Sequence, residues 1–192
     1  LGLVGSEMCI RDRYIMIIEE WRKFRGWRVL EFFLKTGKEV HVKKLARELN
    51  ISPQTATYYL KFYRKVNVLK EKREANLLLY SLDDNALTRQ LKIFYVLDQI
   101  YPFILRFANK NNITSIALYG SHASGTFDET SDIDLLLISQ KRTFDLSELK
   151  KLERKTGKEV KIQVFSLGEW RSLKRKANSF VQSVLSKHIL LY

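Results

Sequence analysis

Leu118-Tyr119-Gly120-Ser121-His122-Ala123-Ser124-Gly125-Thr126-Phe127-Asp128-Glu129-Thr130-Ser131-Asp132-Ile133-Asp134-Leu135-Leu136-Leu137-Ile138 is the stretch that decides how this chain is read. The apolar run over 115–119 predicts a strand that ends in a Gly-Ser turn. A polar segment with a second glycine follows, and then two aspartates, one residue apart, open a strand that is otherwise apolar. Side chains alternate faces along a strand, so Asp132 and Asp134 are expected on the same side. Neighbouring carboxylates repel unless positive charge lies between them. A divalent cation such as Mg²⁺ is the usual answer, because it prefers hard oxygen ligands. Gly120 lets a ligand approach the backbone closely, and Ser121 opens the next turn or helix with free N–H groups that suit a phosphate. The plainer alternative is an Asp-rich turn before a core strand, with Ser121 as a cap. The cost of two same-face carboxylates in an apolar run favours the functional reading.

The 192 residues are enough for one or two small domains, and an apolar content of 45% supports real cores. A net charge of +13 and an isoelectric point near 9.8 point to a polyanionic partner. The excess is largest over residues 16–83, with fifteen Lys/Arg against eight Asp/Glu. Residues 3–13, Leu-Val-Gly-Ser-Glu-Met-Cys-Ile-Arg-Asp-Arg, resemble a translated sequencing adapter. That resemblance implies that residues 1–15 are an artefact and that the fold begins near Met16. The sole cysteine, Cys9, falls in that segment, so neither a disulfide nor a thiolate metal site is expected. A cytoplasmic setting is the expectation, and no membrane partner is, because no apolar run of spanning length occurs.

Residues 19–35 carry apolar side chains at helical spacing, with Gly26 as a weak point and Gly37 as a C-cap. A short extended piece at 39–42 leads into a second helix ending at Leu49. Ser52 and Pro53 then have the chemistry of an N-cap and first helical position for a third helix over 54–66. Residues 68–72 and 77–82 read as two strands around a turn. Helix, helix, turn, helix and hairpin is the pattern of a winged helix-turn-helix, and residues 45–69 resemble the core of the winged-helix DNA-binding domains. That resemblance implies DNA as a partner. Gln54, Thr55, Thr57, Tyr58 and Lys61 are expected on the outer face of the third helix, the one placed in the major groove. Gln and Thr suit base edges, while Lys61, Arg64 and Lys65 suit phosphates, and Lys72 and Arg73 add charge on the wing. The alternative is a winged helix used for dimerisation or partner binding.

Residues 84–112 form a long helical stretch in which Pro102 predicts a kink or break near 99–101. It reads either as a homodimer seam or as core packing between two domains. The expected architecture is thus α+β. It comprises a winged helix over 16–83, a helical connector over 84–112 and a C-terminal α/β domain with a small mixed sheet over 113–192. In that last domain a helix is expected over 144–156 and a third strand over 159–165. His122 reads as a solvated turn residue, and His41 and His188 as structural.

Gly-Ser, then Gly, then Ser-Asp-Ile-Asp-Leu resembles the DNA polymerase beta-type nucleotidyltransferase superfamily, and within it the minimal nucleotidyltransferases. The resemblance implies that Asp132 and Asp134 hold metal, that Gly120 and Ser121 cradle phosphates, and that Mg²⁺ and ATP or another nucleoside triphosphate are the cofactors. It also implies a third carboxylate from the next strand. There Glu159 is the one acid, at the strand's edge, and Lys161 or Gln163 occupies the expected position. Ser124 stands where the minimal group often has Arg or Lys. The implied activity is transfer of a nucleoside monophosphate from ATP to a protein or small-molecule hydroxyl, in an antitoxin that modifies a partner toxin. The alternative function is a transcription regulator whose transferase domain is inactive and senses nucleotide or binds a partner.

Overall fold

The computed structural model describes residues 20–192, so the adapter-like segment and Cys9 lie outside the described residues. The chain divides into two compact units, one ending at Asn85 and the other running from Ala86 to Tyr192.

In the first unit the order is α1 (Arg25–Thr36), β1 (Val40–His41), α2 (Val42–Leu49), α3 (Pro53–Lys65), β2 (Leu69–Glu74) and β3 (Leu77–Leu82). Its sheet has the order β1-β3-β2 and is antiparallel throughout. Three helices are thus followed by a β2–β3 hairpin, with β1 pairing on its far side. Each helix boundary has a local cause. Gly37 closes α1 at φ +60°, and Asn50 closes α2 at φ +50°. The Ser52 hydroxyl accepts from the Thr55 N–H, and Pro53 takes the first helical position. Val29, Phe33, Val40, Leu45, Ala46, Ala56, Leu60, Leu69 and Tyr80 form the buried core. The expected break at Gly26 falls instead at Phe24. Gly26 has a different role: a Cβ there would lie 2.7 Å from the Tyr59 ring, and the Tyr63 hydroxyl donates to Gly26 O at 2.8 Å. The glycine therefore permits close crossing of α1 and α3. Val66 is exposed, because the chain leaves the helix there, and Val68 enters the core.

The second unit opens with α4 (Ala86–Asn111). It continues through β4 (Ser115–Tyr119), α5 (Gly120–Ser124), β5 (Ile133–Ile138), α6 (Ser147–Thr156), β6 (Val160–Phe165), α7 (Leu167–Arg175), α8 (Ser179–Ser186) and β7 (His188–Leu190). The sheet order is β6-β5-β4-β7; β5 and β6 are parallel and the other pairs antiparallel, so the sheet is mixed. One face carries Ile116, Leu118, Ile133, Leu135 and Leu137, which pack with Ile100, Ile104 and Phe107 of α4 and with Leu149 and Leu152 of α6. The other face carries Leu136 and Ile138, covered by Val184, Trp170 and Phe180. α6 is further tied to α4 where Arg106 Nε donates to the buried Glu148 carboxylate at 2.8 Å.

The stretch read as a connector is therefore a core helix of the second unit. α4 also runs unbroken through Pro102. A proline inside a helix removes one backbone bond and costs roughly 3 kcal/mol. Burying Val96, Ile100, Ile104, Phe107 and Ala108 on the sheet outweighs that loss. Leu87, in the first turn of α4, is exposed.

Gly125 shows how tightly α4 meets the turn after α5. It has φ +71°, and a Cβ there would lie 2.4 Å from Arg89 O. Both backbone strain and a clash with main chain follow from any side chain. Gly125→Ala is expected to destabilise the second unit by about 2 kcal/mol or more, read as an earlier unfolding transition in a urea titration followed by circular dichroism.

Candidate active site and nucleic-acid face

The second unit leaves one part of its sheet uncovered. α7 and α8 shield Leu136 and Ile138, whereas the N-terminal end of β5 on the same face carries Asp134 and, immediately before the strand, Asp132. Tyr119, at the C-terminal end of β4, lies opposite Asp134 in the antiparallel register. Gly120 follows with φ +72°, and a Cβ at that position would meet Asp134 Oδ2 at 2.6 Å. The glycine is thus required twice, for its left-handed backbone and for the carboxylate lying against it. Burial is the main cause that raises the Asp134 carboxyl above its ordinary value; Lys161 opposes the rise and Asp132 adds to it.

Lys161 is the structure's main addition to this site. It lies beside Asp134 in the parallel register of β5 and β6, and its Nζ is 2.6 Å from Asp132 Oδ2. That ion pair raises the Lys161 ammonium above its ordinary value. Positive charge beside the aspartates is therefore supplied in part by the protein itself. Of the two residues left open for the position of the third carboxylate, Lys161 is the one beside Asp134. Gln163 lies further along β6, opposite Leu136. Glu159 precedes the first paired residue of β6 and touches β5 through its carbonyl, which accepts from Ile133 N–H at 2.9 Å. Its side chain is exposed. Among the described residues no group of three or more His, Cys, Asp and Glu side chains is arranged to hold a metal ion. Asp132 and Asp134 are hard oxygen donors of the kind a divalent ion takes.

Ser121 sits in the first turn of α5, where its carbonyl accepts from Thr126 N–H at 3.0 Å and from the Ser124 hydroxyl at 3.1 Å. Ser124 is thereby used in the turn, bonded also to the Thr126 hydroxyl at 2.8 Å. The loop from this turn to Asp132 is held by two lysines. Lys92 donates to Phe127 O, and Lys158 Nζ donates to the carbonyls of Asp128, Glu129 and Ser131 at 2.8, 3.1 and 3.1 Å. Asp128 accepts from Thr130 and Ser131, which brings its carboxyl down to about 2.

His122 corrects the sequence reading. It is buried, not solvated, and stacks on Phe127 with centroids 4.5 Å apart and planes 6° from parallel. Neither ring nitrogen has a hydrogen-bond partner. Burial, and next the Lys158 charge, bring its pKa down to about 4. The signal in the sequence was the aromatic five residues on, but only the turn of the chain stacks the two rings. His41 is structural as expected, its Nδ1 accepting from Lys44 N–H at the start of α2.

On the first unit, Gln54, Tyr58, Lys61, Arg64 and Lys65 of α3 are exposed, as are Lys72 and Arg73 of the hairpin strand β2. Thr55 and Thr57 are half-buried, and their hydroxyls are engaged within the helix start, with Ser52 Oγ at 2.8 Å and Pro53 O at 2.8 Å. Arg64 Nη2 lies 2.9 Å from Glu71 of β2, so this guanidinium links α3 to the hairpin. Tyr58 stands on Tyr59 edge to face at 5.1 Å.

The mixed sheet thus carries Gly-Ser at the end of β4 and Asp-Ile-Asp at the start of β5. Residues 102–191 match the family model described as "Nucleotidyltransferase domain", which supports a transferase enzyme. No curated protein matches the chain. Among solved structures, reduced HlyU from Vibrio cholerae N16961 is similar at 18% identity and a TM-score of 0.34, covering 52% of this chain and 98% of its own. A structure described as "Crystal structure of the toxin-antitoxin with AMP-PNP" is similar at 21% identity and a TM-score of 0.35, covering 48% of this chain and 72% of its own. No helix among the described residues is long and apolar enough to cross a membrane.

His122 gives a pH test of the site's scaffold. Its folded pKa, about 4, lies below the ordinary 6.5, so the unfolded chain binds the proton more readily between those values. The stability this neutral histidine contributes is complete above pH 6.5 and is lost as pH falls toward 4. The loss from this group is on the order of 3 kcal/mol across that window. In melting curves at pH 4 to 7, His122→Phe, which keeps the stack, is expected to flatten the decline relative to the natural chain.

Proposed function

We propose that the second unit transfers a nucleoside monophosphate from ATP, or another nucleoside triphosphate, to a hydroxyl of a protein or small molecule. The observation that carries this reading is the pair Asp132 and Asp134 on one uncovered face, with Gly120 and Ser121 at the end of the neighbouring strand. In the reaction the acceptor oxygen bonds to the α-phosphorus, and the bond from that phosphorus to the oxygen bridging to the β-phosphate breaks. Pyrophosphate leaves, and the hydroxyl proton passes to solvent or to a carboxylate of the site. A bound Mg²⁺, held by Asp132 and Asp134, would supply Lewis-acid charge on the phosphoryl oxygens. Gly120 leaves room for the Asp134 carboxylate against its backbone, the Ser121 turn would offer N–H groups to the triphosphate, and Glu159 would be the flanking acid at the strand's edge. A partner protein modified in the manner of an antitoxin acting on a toxin is the acceptor this reading favours.

The first unit, on the same reading, binds DNA. Its support is the basic excess together with the exposed Gln54, Lys61, Lys65, Lys72 and Arg73. Lys61 and Lys65 would contact phosphates and Gln54 a base edge. Thr55, Thr57 and Tyr58 would line the groove side of α3, and Arg64 would join helix to wing. Homodimerisation, through either unit, would give two such faces. A second reading is favoured by one observation, the Lys161–Asp132 ion pair. In it the transferase domain binds nucleotide without turnover and regulates the DNA-binding unit.

Two experiments test these assignments. Incubation with α-³²P-labelled ATP and Mg²⁺ is expected to label the chain itself, or a protein encoded beside it. Asp134→Asn is expected to abolish the labelling while leaving the circular dichroism spectrum unchanged. Nucleotide binding without any labelled product would favour the regulatory reading. For the first unit, Lys61→Ala with Lys65→Ala is expected to weaken binding to duplex DNA. The plot of log affinity against log salt should become shallower by about 2, one for each lost phosphate contact.

A further inference from the structure

The nucleotidyltransferase reading of the site leaves Lys161 unexplained. A lysine between two metal-binding carboxylates opposes a cation by charge, and here it is bonded directly to one of them at 2.6 Å. It is not a surface lysine that happens to fall nearby. β5 and β6 pair in parallel from Ile133 and Val160 to Ile138 and Phe165, which sets Lys161 beside Asp134 on the same face. The Lys161 side chain is 53% exposed, so its ammonium can leave Asp132 without unpacking the sheet. Asp132 is 32% exposed, whereas Asp134 is pressed against the Gly120 backbone. The two carboxylates are therefore unequal: one is engaged by an internal cation, and the other has none bonded to it so closely.

We propose that Lys161 is the resident cation of this site, limiting it to one divalent ion and passing from Asp132 to the triphosphate when metal and nucleotide bind. Three carboxylates can balance two divalent ions, but two carboxylates and an ammonium balance fewer positive charges. The nucleotide contributes the missing negative charge. Metal entering between Asp132 and Asp134 repels Lys161, and a γ- or β-phosphate oxygen is the strongest acceptor available to the displaced ammonium. Lys161 thereby acts against metal and in favour of nucleotide, a pair of opposite effects that a merely structural lysine would not have.

Mn²⁺ binding, followed by the electron paramagnetic resonance of the free ion, and titration with a non-hydrolysable ATP analogue separate the possibilities. The natural chain is expected to take one Mn²⁺. Lys161→Met should bind Mn²⁺ about fivefold more tightly and the ATP analogue about fivefold more weakly, the scale of a partly exposed ion pair. Lys161→Arg should restore nucleotide affinity, and Lys161→Glu should admit a second Mn²⁺. Two Mn²⁺ ions in the natural chain would overturn the proposal, as would Lys161→Met shifting both affinities in the same direction or neither. In either case the nucleotidyltransferase reading would stand. Failure of the natural chain and of all three variants to bind Mn²⁺ or the analogue would instead remove that reading and the proposal together.

Discussion

β5 is apolar on both faces except at its start, and that single constraint arranges the second unit. Leu135 and Leu137 point one way and need α4 and α6; Leu136 and Ile138 point the other and need Val184, Trp170 and Phe180. Each buried aliphatic side chain is worth roughly 1.5–3 kcal/mol, so leaving either face open would cost more than a small domain can lose. Cover on the second face stops short of Asp132 and Asp134, because charged groups gain nothing from apolar cover. The site is the part of the sheet that the core does not need.

The same economy explains the internal ion pair. Two carboxylates close together on a partly desolvated face raise the energy of the charged state, visible in the raised Asp134 carboxyl. Lys161 relieves that cost at Asp132, and the loop leading to the pair is held from the other side by Lys92 and Lys158. Basic residues are thus not confined to the first unit. A share of the chain's positive charge is used locally, to steady an acidic turn, and the net charge alone overstates what remains for a polyanion.

The first unit shows the complementary case, in which short-range chemistry was nearly sufficient. Ser52-Pro53 starts α3, Gly37 and Asn50 end α1 and α2, and Asn67 takes the left-handed conformation after α3. These are backbone preferences of individual residues, so they can be read without knowing the fold. Side-chain engagement is different. The Thr55 and Thr57 hydroxyls turn back onto the helix start, and Arg64 turns to Glu71. Their partners are fixed by cap geometry and by the docking of the hairpin.

The sequence by itself determined the mixed α and β character, the strand–turn–strand with Asp132 and Asp134 on one face, and most helix ends, because each depends on neighbours within a few residues. Tertiary structure alone decided four matters. α4 became a core helix that runs through Pro102, since the apolar area it buries on the sheet outweighs one lost backbone bond. His122 was buried against Phe127, since the turn stacks two rings whose separation along the chain gives no orientation. Gly125 had to be glycine because Arg89 O, thirty-six residues earlier, lies where a Cβ would stand. Lys161, rather than Gln163 or Glu159, came to stand beside Asp134 because strand register is set by pairing between distant segments, and a shift of one residue turns every side chain to the opposite face.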